Sequence, residues 1–348
     1  MKVLIIGGTR FLGRALTDEA LKRGHDVTLF NRGNNQEVFP EVEQLIGDRD
    51  KDVTVLENRK WDVVMDTCGF APHQITKVAA AIGDQIEHYT YISSISVYKD
   101  WIPPHLTEDY RLHSRLTDEV LNEVEEGNVS PYEYYGQLKA HCESEAEKQW
   151  RERVLHVRAG LLVGEFDYSD RLPYWIKRVA AGGKTLVPGR PDRPVQLIDV
   201  KDAASWIFDM AEQRNSGTYN VTGPAPEVTM EELLNTCKSV TDSDAEFVWA
   251  SEQFLIDHGV QPWTEMPLWV PEHFPLEGET EPWKGASSVS VEKAVRTGLS
   301  FRPLEDTIHE VYKWEEARGE TELKAGISPD REKELLELWF NKNRTGSL

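Results

Sequence analysis

Val3-Leu4-Ile5-Ile6-Gly7-Gly8-Thr9-Arg10-Phe11-Leu12-Gly13 carries a short apolar run straight into a glycine-rich turn. Four aliphatic residues followed by paired glycines read as a buried strand that ends abruptly. Leu12, Leu16 and Ala20, spaced four apart, continue it as a helix. That helix closes at Arg23-Gly24, where the glycine suits the left-handed cap position. A strand, a glycine turn and a helix N-terminus in this order let backbone amides approach a pyrophosphate, whose charge the helix dipole favours. Gly7, Thr9, Arg10, Phe11, Leu12 and Gly13 are therefore the candidate cofactor-binding residues of the turn.

Working outward, Val27-Thr28-Leu29-Phe30 reads as a second strand, and further strands are expected at 42–46, 62–65, 89–92 and 154–157. Strands alternating with helical patterns imply an α/β, Rossmann-type, doubly wound parallel sheet. Residues 1–228 are assigned to this NAD(P)-binding domain. From Thr229 tryptophan and proline become frequent, so 229–348 is expected to form a smaller, irregular substrate domain. Its 262–275 stretch would close over a small-molecule ligand. A last helix is expected from Ser328 as N-cap and Pro329, with Leu335, Leu338 and Trp339 on one face. The acidic stretch 101–130 reads as a solvated excursion.

The chain has 348 residues, 39 basic against 60 acidic, for a formal net charge of −21. That balance disfavours a nucleic-acid partner, which needs a concentrated basic surface. Cys68, Cys142 and Cys237 are too scattered for a disulfide framework or a zinc site, so no metal is expected. The apolar run 3–6 is too short for a signal peptide, and nothing approaches a membrane span. A cytoplasmic location without membrane attachment is the expectation.

After the second strand the chain has Asn31-Arg32-Gly33, where NAD-binding proteins usually offer an acid to the ribose 2′-hydroxyl. No carboxylate stands there to repel a 2′-phosphate, and Arg32 suits one, with Arg10 as a second cation. This favours NADP(H) over NAD(H). The alternative is that Arg32 is a solvated residue following a strand. Tyr135 and Lys139, four apart, share a helix face, where an ammonium favours phenolate and lowers the phenol pKa. Ser93, Ser94 and Ser96 follow the fifth strand, at the sheet edge where open parallel sheets bind ligands.

The ordered set of glycine turn, strand-end serines, Tyr135-x-x-x-Lys139, Arg158-Ala159-Gly160-Leu161-Leu162-Val163-Gly164 and Leu197-Ile198-Asp199-Val200-Lys201-Asp202 resembles the extended and atypical short-chain dehydrogenase/reductase superfamily. Within it, the chain looks like the NAD-dependent epimerase/dehydratase group, over roughly residues 1–230. The resemblance implies that Ser94 is the catalytic serine, Tyr135 the acid/base, Lys139 its ribose-binding partner, and Asp48 the acid that meets adenine. Arg10 replaces the middle glycine of the usual turn. That departure points to an atypical subgroup that also holds chloroplast stem-loop RNA-binding proteins.

Ser94-Ile95-Ser96 carries no carboxylate to drive water elimination, which argues against a 4,6-dehydratase. Val195 stands where many sugar-nucleotide epimerases have a diphosphate-gripping arginine. Arg193 is the nearest replacement, and with Ser96 it completes the substrate-side candidates. The expected function is NAD(P)-dependent hydride transfer on a carbonyl or secondary alcohol, as an epimerase or a reductase. The alternative is a non-redox cofactor- or RNA-binding protein. Superfamily members often dimerise through the Tyr-x-x-x-Lys helix, and Ala140, Cys142 and Ala146 are small enough for a homodimer contact there.

Overall fold

The computed structural model describes residues 1–84, 86–224, 226–273 and 281–345. Lys2–Ile6 forms β1, and its four aliphatic residues are buried. On one side lie β2 (Asp26–Asn31) and then β3 (Glu43–Ile46). On the other lie β4 (Val63–Asp66), β5 (His88–Ser94), β6 (Val154–Ala159) and a last strand, Gly217–Val221. All seven run parallel. Every residue of β4, β5 and β6 is buried, as a parallel sheet covered on both faces demands.

The helices up to residue 212 are α1 (Phe11–Lys22), α2 (Pro72–Ile82), α3 (Asp118–Glu125), α4 (Tyr135–Trp150), α5 (Arg171–Ala180) and α6 (Val200–Glu212); α1, α2, α4 and α6 cover the sheet, and α3 and α5 lie away from it. Leu12, Leu16 and Ala20 of α1 join α6 in the core on one face. Ile75 and Val78 of α2 join Cys142, Ala146 and Trp150 of α4 on the other. Gly24, at φ +75°, takes the left-handed position after α1.

A second core lies apart from the sheet and mixes residues from both sides of position 228. Trp175 and Val179 of α5 and Leu186 pack with Leu233, Phe254, Trp269 and Leu335. Strands Lys184–Pro188 and Glu246–Ala250 pair in parallel within it. The C-terminal region is more regular than its Trp/Pro content suggested, with helices Met230–Val240, Leu304–Arg318 and Pro329–Thr345. Ser328 Oγ accepts the Arg331 amide at 3.3 Å, as an N-cap should. Of the stretch 262–275, Met266, Leu268 and Trp269 are core, while 274 and 275 lie outside the described residues.

One expectation needs correcting. The 101–130 stretch is not simply solvated: Leu106 and Val124 are buried, and Asp100 holds Tyr110 and Arg111. Of the small residues on α4, Cys142 and Ala146 are fully buried against the sheet, while Ala140 is only partly buried. No helix among the described residues is long and apolar enough to cross a membrane.

Candidate active site

The turn after β1 is built from backbone. Gly7 and Gly8 sit at φ +108° and +86°, a region that favours glycine. A Cβ on Gly13 would lie 2.6 Å from the Gly8 amide nitrogen, so only glycine lets α1 start this close to the strand end. Thr17 ties the two together, donating at 2.9 Å to the carbonyls of both Gly8 and Gly13. Phe11, at φ +38°, holds a left-handed conformation without being glycine, a local strain of the kind found at functional turns. No side chain caps α1, which leaves its first-turn amides for a ligand. Glycines that permit close approach, and an uncapped helix N-terminus, fit a dinucleotide pyrophosphate.

Across the sheet edge, Ser94 ends β5 and is buried. Its hydroxyl donates to Ser96 Oγ at 3.1 Å and accepts the Ser96 amide at 3.1 Å. Gly136 lets α4 press against this corner, because a Cβ there would run into the Ser96 carbonyl. The result brings Tyr135 to Ser94. Burial pushes the Tyr135 phenol up, and the Ser94 hydroxyl pulls it back down. Lys139, one turn on, is buried and donates to the carbonyls of Ile92 at 2.7 Å and Gly69 at 2.9 Å. Its Nζ lies 5.9 Å from the Tyr135 ring centroid and 4.9 Å from those of Phe70 and Tyr91. Burial lowers its pKa. Ser94, Tyr135 and Lys139 thus gather at this corner, and burial raises the phenol where Lys139 was expected to lower it.

Sequence reading missed the groups that hold this set. Beneath Lys139, Arg49 makes a two-pronged pair with Asp66 at 2.6 and 2.7 Å, and Tyr89 Oη donates to the same carboxylate at 2.8 Å. Despite burial, that guanidinium keeps the Asp66 carboxyl below its ordinary range. On the other side, Glu143 of α4 pairs with Arg158 of β6 at 2.8 and 3.0 Å and accepts Ser93 Oγ at 2.6 Å. Arg158 continues to Tyr98 and the Glu108 carbonyl. His113, from the 101–130 stretch, packs against Gly136 and the Ser96 carbonyl, and burial lowers its pKa. Glu143 stands one helical turn beyond Lys139, a spacing that gave a usable signal.

The remaining candidates divide. Asn31 organises the chain after β2: its Oδ1 accepts the Gly33 amide at 2.7 Å and its Nδ2 donates to Gln44 at 3.1 Å. Arg32 beside it is exposed. Asp48 lies in the turn after β3, half-buried, and accepts the Asp50 amide at 3.1 Å. Arg193 is buried and engaged: it binds Glu272 at 2.7 Å and donates to the Val270 and Trp283 carbonyls at 3.3 Å each. Those bonds tie the stretch after α5 to the C-terminal region. Among the described residues no group of three His, Cys, Asp or Glu is placed to hold a metal.

This geometry has relatives. A UDP-glucuronic acid 4-epimerase from Bacillus cereus, solved in complex with NAD, superposes with a TM-score of 0.65 at 14% identity, covering 92% of this chain and 100% of that one. A UDP-N-acetylglucosamine 4-epimerase from Methanobrevibacter ruminantium M1, solved with UDP-N-acetylmuramic acid, also gives 0.65, at 17% identity over 91% and 98%. These likenesses establish the fold. In sequence, the chloroplast stem-loop binding protein of 41 kDa b from Arabidopsis thaliana is 27% identical over 260 residues, 68% of this chain. The chain spans 62% of that relative's length. The profile of one family matches residues 3–222, more than half of the sequence. The chain belongs to the NAD dependent epimerase/dehydratase family.

Proposed function

We propose that this protein is an NAD(P)-dependent enzyme that acts on a carbonyl or secondary alcohol, with Ser94, Tyr135 and Lys139 as its catalytic set. The observation that carries the reading is the meeting of these three side chains at the carboxyl edge of the sheet, across from a glycine turn shaped for a pyrophosphate. A nicotinamide bound there supplies the hydride chemistry. Tyr135 Oη exchanges the matching proton with the substrate oxygen, and Ser94 Oγ, turning its one proton away from Ser96 Oγ, donates a hydrogen bond to that oxygen. Lys139 offers its remaining donor capacity to the nicotinamide ribose. The Tyr135 phenol can serve as the acid in the alcohol-forming direction and, once deprotonated, as the base in the reverse one.

NADP(H) is the preferred cofactor in this reading, because Arg32 is exposed just beyond β2 with no acid at Asn31 or Gly33. Asp48 would meet the adenine. The substrate is a small molecule of the sugar or sugar-nucleotide class, as the names of the structural neighbours suggest. With Arg193 committed to Glu272, a diphosphate would need another partner. The name of the plant relative raises RNA binding, which the net charge of −21 opposes.

Denaturing freshly purified protein and identifying the released dinucleotide by mass spectrometry gives the cofactor. Tyr135→Phe then tests the mechanism. Turnover is expected to fall about 10²–10⁴-fold while dinucleotide affinity stays within a few-fold. Undiminished turnover would remove Tyr135 from the chemistry.

A further inference from the structure

Residues 164–170 cross over the start of α1 as a strap with a strained backbone: Gly164, Phe166 and Asp170 sit at φ +141°, +65° and +56°. Two aromatic side chains on it remain substantially exposed, Phe166 at 37% and Tyr168 at 51%. Both are held by arginines of the cofactor turn and helix. The Arg10 guanidinium lies 4.2 Å from the Tyr168 ring centroid, and that of Arg14, one helical turn on, lies 3.6 Å from Phe166. Phe11 meets the edge of Tyr168 at 6.3 Å. The far side of the strap is anchored in the C-terminal region, where Asp170 binds Arg318 at 2.8 Å and accepts the Lys324 amide at 3.0 Å.

Arg10 has no carboxylate partner among the described residues, yet it stands in the turn whose glycines and uncapped helix fit two phosphates. A cation placed there, with its plane set by an aromatic face, suits an anion more than a structural role.

We propose that the 164–170 strap is a cofactor latch, in which Tyr168 positions the Arg10 guanidinium for the pyrophosphate of the bound dinucleotide. Tyr168 is a positioning residue acting through Arg10. The inference rests on the dinucleotide reading above and deepens it.

The test measures binding of NADP⁺, NAD⁺ and ADP-ribose by calorimetry, since ADP-ribose has the pyrophosphate without the reacting ring. Tyr168→Ala and Arg10→Gly are each expected to weaken ADP-ribose by about tenfold. The double variant should be no weaker than about twofold beyond either single, because the two act as one unit. Tyr168→Phe, which keeps the aromatic face, should restore affinity to within about threefold. Thermal stability should be unchanged throughout, the strap ring being exposed. Tyr168→Ala with parental affinity would overturn the latch, and so would fully additive losses or a Tyr168→Phe no better than Tyr168→Ala. Failure of the parent protein to bind any of the three ligands would instead remove the dinucleotide reading, and the latch with it.

Discussion

The two ends of the cleft are made of different material. At the glycine turn, shape comes from backbone: φ values at Gly7 and Gly8, the Gly13 contact with the Gly8 amide, and a helix start without a side-chain cap. At the serine end, shape comes from side chains that arrive from three strands, a helix and the turn after β3. Two buried ion pairs, Arg49–Asp66 and Arg158–Glu143, brace it. A backbone site is insensitive to most substitutions but intolerant of a few atoms. A side-chain site depends on partners far apart in sequence, and losing one strands another.

The sharpest way to break this contrast is Glu143→Ala, which leaves Arg158 buried with its carboxylate partner removed. A loss of about 3–5 kcal/mol is expected in equilibrium urea unfolding, with displacement of Ser93. A loss below about 1 kcal/mol would mean the serine end does not depend on its ion pair.

Acid should act next, and in separable windows. His88, at the amino end of β5, is held neutral by burial with its pKa lowered to about 4. A folded pKa below the unfolded value near 6.5 means its contribution is complete above 6.5 and is lost as pH falls towards 4. That loss should be about 2–3 kcal/mol after allowance for relaxation, and His88→Gln should flatten this window. Asp66 and Glu143, whose folded carboxyls lie below their ordinary ranges, contribute stability that disappears only at lower pH. A stability profile flat from pH 6.5 to 4 would contradict the buried neutral imidazole.

The smallest expected effect on stability belongs to the turn. Gly13→Ala pushes a methyl to within 2.6 Å of the Gly8 nitrogen and should cost about 1–3 kcal/mol. Dinucleotide affinity should suffer more than the fold does. Unchanged dinucleotide affinity in that variant would mean the turn tolerates a side chain where the geometry leaves no room.

What was legible in the sequence follows the same division. The order of β1, turn and α1 could be read from 3–24 because periodicity and glycine chemistry are local. Tyr135 and Lys139 could be paired because they share a helix face, whereas Ser94 was singled out among the strand-end serines only by the family resemblance. Arg49, Asp66 and Arg158 could not be assigned as braces, since their pairings join residues 15 or more apart and local spacing carries no trace of them. Cys142 and Ala146 of α4 pack on the sheet, and a one-dimensional reading cannot tell such burial from a contact surface. The second core escaped because it joins α5 to helices more than 50 residues later.

Lys139 has a consequence of its own. An ammonium has three N–H bonds, and two of them already point at the Ile92 and Gly69 carbonyls. The group cannot spin to follow a ligand without giving up a buried bond. It therefore behaves less as a point charge than as a fixed compass needle: one proton, one direction, set by the ends of β4 and β5 before any ligand arrives. On the proposed reading, a ligand must bring its acceptor to that bearing, which would make this lysine a selector of pose as well as of charge.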